Sequence, residues 1–201
     1  ILTELEELQL DYNPILEQSS TVFVNQNYPK NFLFVGRLNE SKGINLLLEA
    51  WEEIYLKIDW KLKIIGSGPI KIYTSQTKRL THLNYLQPNQ LVKEIKNAGC
   101  LILPSTFEPW GVVVHEFAAA GVPLILSTAV GSSPIFLKVN YNGFLFQNHS
   151  KEDLKKQIIN ICETSSTKLL KMSNYSNKLS KKITPYSSAK NLVSLIDHRK
   201  V

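Results

Sequence analysis

Two carboxylates eight positions apart, Glu108 and Glu116, stand within Ser105-Thr-Phe-Glu-Pro-Trp-Gly-Val-Val-Val-His-Glu-Phe-Ala-Ala-Ala-Gly-Val-Pro123. Ionised carboxylates accept hydrogen bonds and donate none, which suits them to hydroxyl-rich ligands. The apolar run Cys100 to Pro104 before them has the length and composition of a buried parallel strand. Pro109 suits the first turn of a following helix and Gly121 the position just past its end. The pattern therefore reads as strand, loop, helix, with Glu108 at the strand's carboxyl end, where open α/β sheets bind ligands. Helical side chains tilt back toward the N-terminus, so Glu116 reaches toward the same mouth. Gly111 lets backbone approach a ligand, and the unpaired N–H groups of the first helical turn suit an anion. An anion cradle flanked by two hydroxyl acceptors fits a sugar phosphate.

A second cluster lies upstream. The apolar strand Phe32 to Val35 runs into Gly36-Arg37-Leu-Asn-Glu-Ser-Lys42-Gly43. Arg37 offers a forked donor and Lys42 a point charge, a pair suited to a diphosphate. The turn Gly66-Ser-Gly68-Pro69 lacks the third glycine of a dinucleotide-binding fingerprint. There is no Asp-x-Asp pair to hold a phosphate-bound Mg²⁺, and no metal-ligand set is expected. Reading Glu108 and Glu116 as the acid and base of a glycosidase would leave Arg37 and Lys42 without a role. His115, between the two carboxylates, reads as a helix histidine satisfied locally.

These residues need strands and helices in alternation to bring them together, and the chain supplies them. Helices are expected along Leu47, Trp51, Ile54 and Ile58, weakly over 70–80, from an N-cap at Asn89 through Leu91 and Ile95 to Gly99, and from a Ser150/Asp153 capping box through Ile161. Strands are expected over 61–65, 83–86, 123–127 and 144–146. The fold class is thus α/β, a Rossmann-like doubly wound parallel sheet, with a helical C-terminal tail. Three segments are expected: residues 1–31 as a helix and linker from a domain not in this sequence, 32–164 as the Rossmann-like domain, and 165–201 as the tail.

Glu108 and Glu116, embedded as Glu-Pro-Trp-Gly before a small-residue helix ending Gly-Val-Pro, resemble the Glu-x7-Glu motif of retaining glycosyltransferases of family 4, and Gly36-Arg37-Leu to Lys42-Gly43 resembles that family's diphosphate-holding segment. The resemblance implies the C-terminal, nucleotide-sugar-binding half of a GT-B fold. It also implies transfer of a sugar from a nucleoside-diphosphate sugar with retained anomeric configuration. Arg37 and Lys42 would hold the diphosphate, Glu116 the ribose hydroxyls, and Glu108 the hydroxyls of the sugar. Gly36, Gly68 and the amides of Gly111, Val112 and Val113 would contribute to the donor site, and Leu86 and Gln87 fall where the family lines the base. Catalysis would rest on Arg37, Lys42 and Glu108 without a metal or other cofactor, and an N-terminal Rossmann-like domain would carry the acceptor. The sequence departs from the family at Ile135, where a Glu is frequent. The alternative is a nucleotide-sugar-binding module that needs a partner chain for activity.

Charge is unevenly placed. Residues 1–150 carry a net charge of −1 and residues 151–201 a net charge of +7. The basic third reads either as solvated helix faces or as a peripheral contact with an anionic membrane. It lacks the interleaved aromatics of a nucleic-acid reader. Cys100 and Cys162 are too few for a disulfide framework and read as core thiols. The sequon at Asn39 would place a glycan in the phosphate loop, so a cytoplasmic location is expected, with a peripheral position at the inner membrane face if the basic third binds lipid.

Overall fold

Among the residues described by the computed structural model, 28–74 and 79–183, six strands form one parallel sheet. They are β1 (Asn31–Val35), β2 (Lys61–Ile65), β3 (Leu80–Leu83), β4 (Cys100–Leu103), β5 (Leu124–Ser127) and β6 (Gly143–Phe146). Their order is β3-β2-β1-β4-β5-β6. In β1, Phe32 sits opposite Leu62 of β2 on one side and Cys100 of β4 on the other. The order reverses between β1 and β4, which makes that edge the topological switch point.

The central strands β1, β4 and β5 are largely apolar because both sheet faces are covered there. Phe32, Phe34, Leu62, Ile64, Ile102, Ile125 and Phe146 face helices α1 (Ile44–Ile54) and α5 (Lys151–Glu163), the order of numbering following the chain. Leu33, Leu101, Leu103, Leu124 and Leu126 face α2 (Pro88–Lys96), α3 (Val112–Ala119) and the short α4 (Ser133–Phe136). The final described helix, α6 (Ser166–Ser180), packs on α3 in the opposite direction. Ser173 Oγ donates to Gly121 O, Asn177 Nδ2 to Ala119 O at 2.6 Å, and the His115 ring meets Ser180 O. Burial pushes the Cys100 thiol up and carries that of Cys162 to about 12; Cys100 is a core thiol, and Cys162 packs against the same core partly buried.

Several local expectations are corrected. Strand β3 spans Leu80–Leu83 rather than 83–86, and no helix covers Lys71 to Tyr73. Only β2 pairs with β3, so its position was set by that single partner rather than by two covered faces. Helix α2 begins at Pro88 with Gln87 as its cap, not at Asn89. Proline needs no N–H partner at the first position, and Gln90 Oε1 accepts the Gln87 N–H at 3.0 Å. Helix α1 stops at Ile54, leaving Ile58 beyond it. Ser150 Oγ caps α5 as expected, but Asp153 returns to the Gln147 N–H rather than to Ser150. Residues 1–27 of the expected helix and linker, and residues 184–201 of the expected tail, lie outside the described residues.

Candidate functional site

Strand β1 ends at Val35, and Gly36 and Arg37 leave the sheet into a 3₁₀ turn, Glu40–Lys42. Asn39 initiates that turn, its Oδ1 accepting from Lys42 N at 3.2 Å and from Ser41 Oγ at 3.0 Å. Strand β4 ends beside it, and the loop after β4 is tied down on both flanks. Thr106 and Phe107 N–H donate to Ser41 O at 2.9 and 3.2 Å. On the other flank Gly131 N–H donates to Glu108 O and Ser132 N–H to Trp110 O, at 2.9 and 3.1 Å. These four backbone bonds join the loop after β4 to the Glu40–Lys42 turn on one side and to the turn at 131–132 on the other.

That strapping explains why α3 starts later than the proline suggested. Glu108 forms an isolated parallel bridge with Val130, and the bends at Pro109 and Trp110 are held to the turn at Gly131 and Ser132 by the two backbone bonds above. Gly111 then turns into the helix with φ +85°, a left-handed value open to glycine, and no side chain caps the first turn. The N–H groups of Val112 and Val113 open α3, so the positive end of its dipole faces the mouth.

A cleft of about 390 Å³ lies over the carboxyl ends of β1 and β4, at the switch point. Gly36, Arg37, Lys42, Glu108, Gly111, Val112, Val113 and Glu116 all line it. Arg37 is exposed, and its guanidinium makes no ion pair with a described residue. Lys42 Nζ instead forms an ion pair with Glu108 Oε2, with both side chains largely withdrawn from solvent. The sequence assigned these two groups separate ligand atoms and did not foresee their pairing across the sheet.

A second cleft of about 410 Å³ opens from the same Val35-Gly36-Arg37 wall over β2 and β3. Ile65, Gly66, Ser67, Tyr85, Leu86 and Leu91 complete it, and it is more apolar than the first. Leu86 is thus brought to the site, whereas Gln87 caps α2 and Gly68 packs where a Cβ would run into Leu38 O. Neither Gln87 nor Gly68 lines either of these two clefts. Sequence reasoning missed Tyr85 and Ser67. An exposed tyrosine next to Leu86 and a serine between the two glycines were the available signals. Their contact, Tyr85 N–H to Ser67 Oγ at 3.2 Å, joins two loops.

His115 turns away from the mouth. Its Nε2 lies 3.0 Å from Ser180 O and its ring stacks on Phe136 at 4.5 Å, so it fastens α6 to α3. Burial holds its pKa below 6.5, opposed by the Ser180 carbonyl.

A family profile described as "Glycosyl transferases group 1" matches residues 17–179. The chain belongs to the group 1 glycosyltransferases. Within this family it is 34% identical over 125 residues to an uncharacterized glycosyltransferase of Methanocaldococcus jannaschii, covering 59% of this chain and 32% of that one. The solved structure of TarM superposes with a TM-score of 0.74 at 18% identity, over 86% of this chain and 36% of TarM. HepE of Anabaena, solved in complex with UDP and glucose, gives a TM-score of 0.67 at 16% identity, over 84% of this chain and 48% of HepE. The fold is therefore the Rossmann-like fold of GT-B glycosyltransferases. The chain spans about a third of the length of the curated relatives it matches first.

Proposed function

We propose that this domain binds a nucleoside-diphosphate sugar, and that the enzyme containing it transfers the sugar with retained anomeric configuration, as a family 4 member would. The supporting observation is the convergence of Arg37, Lys42, the α3 N-terminus, Glu108 and Glu116 on one cleft at the switch point. The diphosphate lies between Arg37, Lys42 and the Val112 and Val113 amides. Glu116 takes the ribose hydroxyls and Glu108 those of the sugar. The base enters the adjoining apolar cleft, against Leu86, Leu91 and Tyr85. HepE, crystallised with UDP and glucose, makes the same ligand class the natural one to try.

Arg37, Lys42 and the helix N-terminus stabilise the charge growing on the departing diphosphate, the task a divalent cation would otherwise perform. The acceptor is held by a further domain of the longer enzyme, because fixing it beside the donor can lower the barrier by about 7–11 kcal/mol. The enzyme works in the cytosol. Asn39 is engaged in capping the Lys42 turn, so a glycan attached there would crowd the mouth.

A donor-turnover assay on the longer enzyme tests the reading. Transfer should persist in a chelator, and nuclear magnetic resonance of the first-formed product should show the donor's anomeric configuration. A strict Mg²⁺ or Mn²⁺ requirement would overturn the metal-free mechanism, and an inverted product would overturn retention.

A further inference from the structure

Helix α6 carries Lys168, Lys171 and Lys178 three and seven positions apart, so they project from one side of the helix with Tyr175 between them. Lys181 and Lys182 follow at its end, and all five lysines are exposed. The turn at 137–142 is fixed beside this stripe. The Tyr141 ring lies 5.5 Å from that of Tyr175, and Asn142 Nδ2 donates to Ser176 Oγ at 3.1 Å. Lys138 Nζ sits over the Tyr141 ring, 4.3 Å from its centroid. Val139 and Tyr141 project from this turn, 44% and 54% exposed.

The face therefore gathers six lysines around an exposed valine and tyrosine. Neither 137–142 nor 166–183 contains an Asp or Glu. None of the six lysines forms an ion pair with a described residue, whereas Lys151 and Lys155 of α5 are both held by Glu53. The basic surface is thus not the whole C-terminal third. It excludes the start of α5 and includes Lys138 from an earlier turn. Clustered like charges repel one another, and an anionic surface relieves that repulsion. Lysine stems can lie along an apolar boundary with their ammonium groups on phosphate, while tyrosine favours the headgroup level.

We propose that this face, α6 with the 137–142 turn, docks on a bilayer containing anionic phospholipid. Charge complementarity and the apolar centre together select a bilayer: the lysines suit any polyanion, but Val139 gains only where there is an apolar layer to enter. The inference is independent of the nucleotide-sugar reading.

The test is co-sedimentation of the 201-residue chain with phosphatidylcholine vesicles, with and without phosphatidylglycerol. Binding is expected only with phosphatidylglycerol and should fall as salt rises. The triple variant K168Q/K171Q/K178Q should lose partitioning by on the order of 100-fold at low salt. A control triple, K57Q/K93Q/K96Q, removes the same charge from exposed positions elsewhere and should change partitioning less than about twofold. V139S/Y141S should weaken vesicle binding and leave retention on duplex DNA unchanged. Equal losses in the two triples, no binding to phosphatidylglycerol, or stronger patch-dependent capture by duplex DNA at equal phosphate concentration would each overturn the proposal.

Discussion

Lys42 and Glu108 are paired in the cleft, so a diphosphate must compete with Glu108 for the same ammonium. Replacing Glu108 by Gln removes the competitor and keeps the shape. The side chains are 25% and 11% exposed, which puts the pair between a surface ion pair and a fully buried one. Surface pairs contribute about 0–1 kcal/mol, while breaking a buried one costs about 3–5 kcal/mol. A value of roughly 1–2 kcal/mol for this pair predicts that E108Q binds a free nucleoside diphosphate about 5- to 30-fold more tightly. The nucleotide sugar should respond differently, because it also loses a charged acceptor for its hydroxyls, at a cost of about 1.5–3 kcal/mol. Its affinity should stay level or fall. K42A removes a cation and leaves the Glu108 carboxylate facing phosphate, so the diphosphate should weaken by about 100-fold or more. The double variant K42A/E108Q should recover part of that loss. Titration calorimetry on the four proteins gives the whole cycle. Unchanged or weaker diphosphate binding in E108Q, with single effects that add to within about 0.5 kcal/mol, would refute the competition.

Three further outcomes follow from the geometry. Gly111→Ala should lower Tm by roughly 3–8 °C, because φ +85° costs a non-glycine residue about 1–2 kcal/mol and the new Cβ would lie 3.2 Å from Glu108 Cγ. Calorimetric melting reads it. Tyr85→Ala should weaken nucleoside diphosphates by roughly 5- to 100-fold through lost stacking on the base and leave inorganic pyrophosphate untouched. Competition titrations separate the two ligands. Burial depresses the His115 pKa, so below pH 6.5 the unfolded chain binds the proton first. Stability should be complete above that pH and decline as pH falls below it, and H115Q should flatten the decline in urea midpoints.

The chemistry-bearing residues were legible because each follows a strand end. Phe32 to Val35 and Cys100 to Leu103 are continuous apolar runs, as strands covered on both faces must be, and the parallel topology then sets Arg37 beside Glu108. The edge strand was misplaced because Leu80-Thr-His-Leu83 and Leu83-Asn-Tyr-Leu86 are equally plausible in isolation, and only pairing with β2 selects the first. Helix α3 starts at Val112 because the N–H groups of Gly131 and Ser132 occupy the carbonyls of Glu108 and Trp110, which are then not available to a helix. A proline rule cannot see that tertiary constraint. The Lys42–Glu108 pair spans 66 positions, beyond any local pattern. Lys151 and Lys155 were counted as part of a basic third because their partner, Glu53, lies about a hundred residues away.

The central claim is that the cleft between the ends of β1 and β4 grips a nucleoside diphosphate. The most direct measurement is calorimetric titration of uridine, guanosine and adenosine diphosphates into the 201-residue chain, with Arg37→Ala beside it. Arg37 is exposed and makes no ion pair with a described residue, so its loss should spare the fold and report on the ligand alone. Hydrogen bonds to charged groups contribute about 1.5–3 kcal/mol, so the donor-site reading predicts saturable binding of at least one diphosphate and a roughly 10- to 100-fold weaker affinity in the variant. No binding by any of the three, or equal affinity in both proteins with identical melting curves, would contradict it.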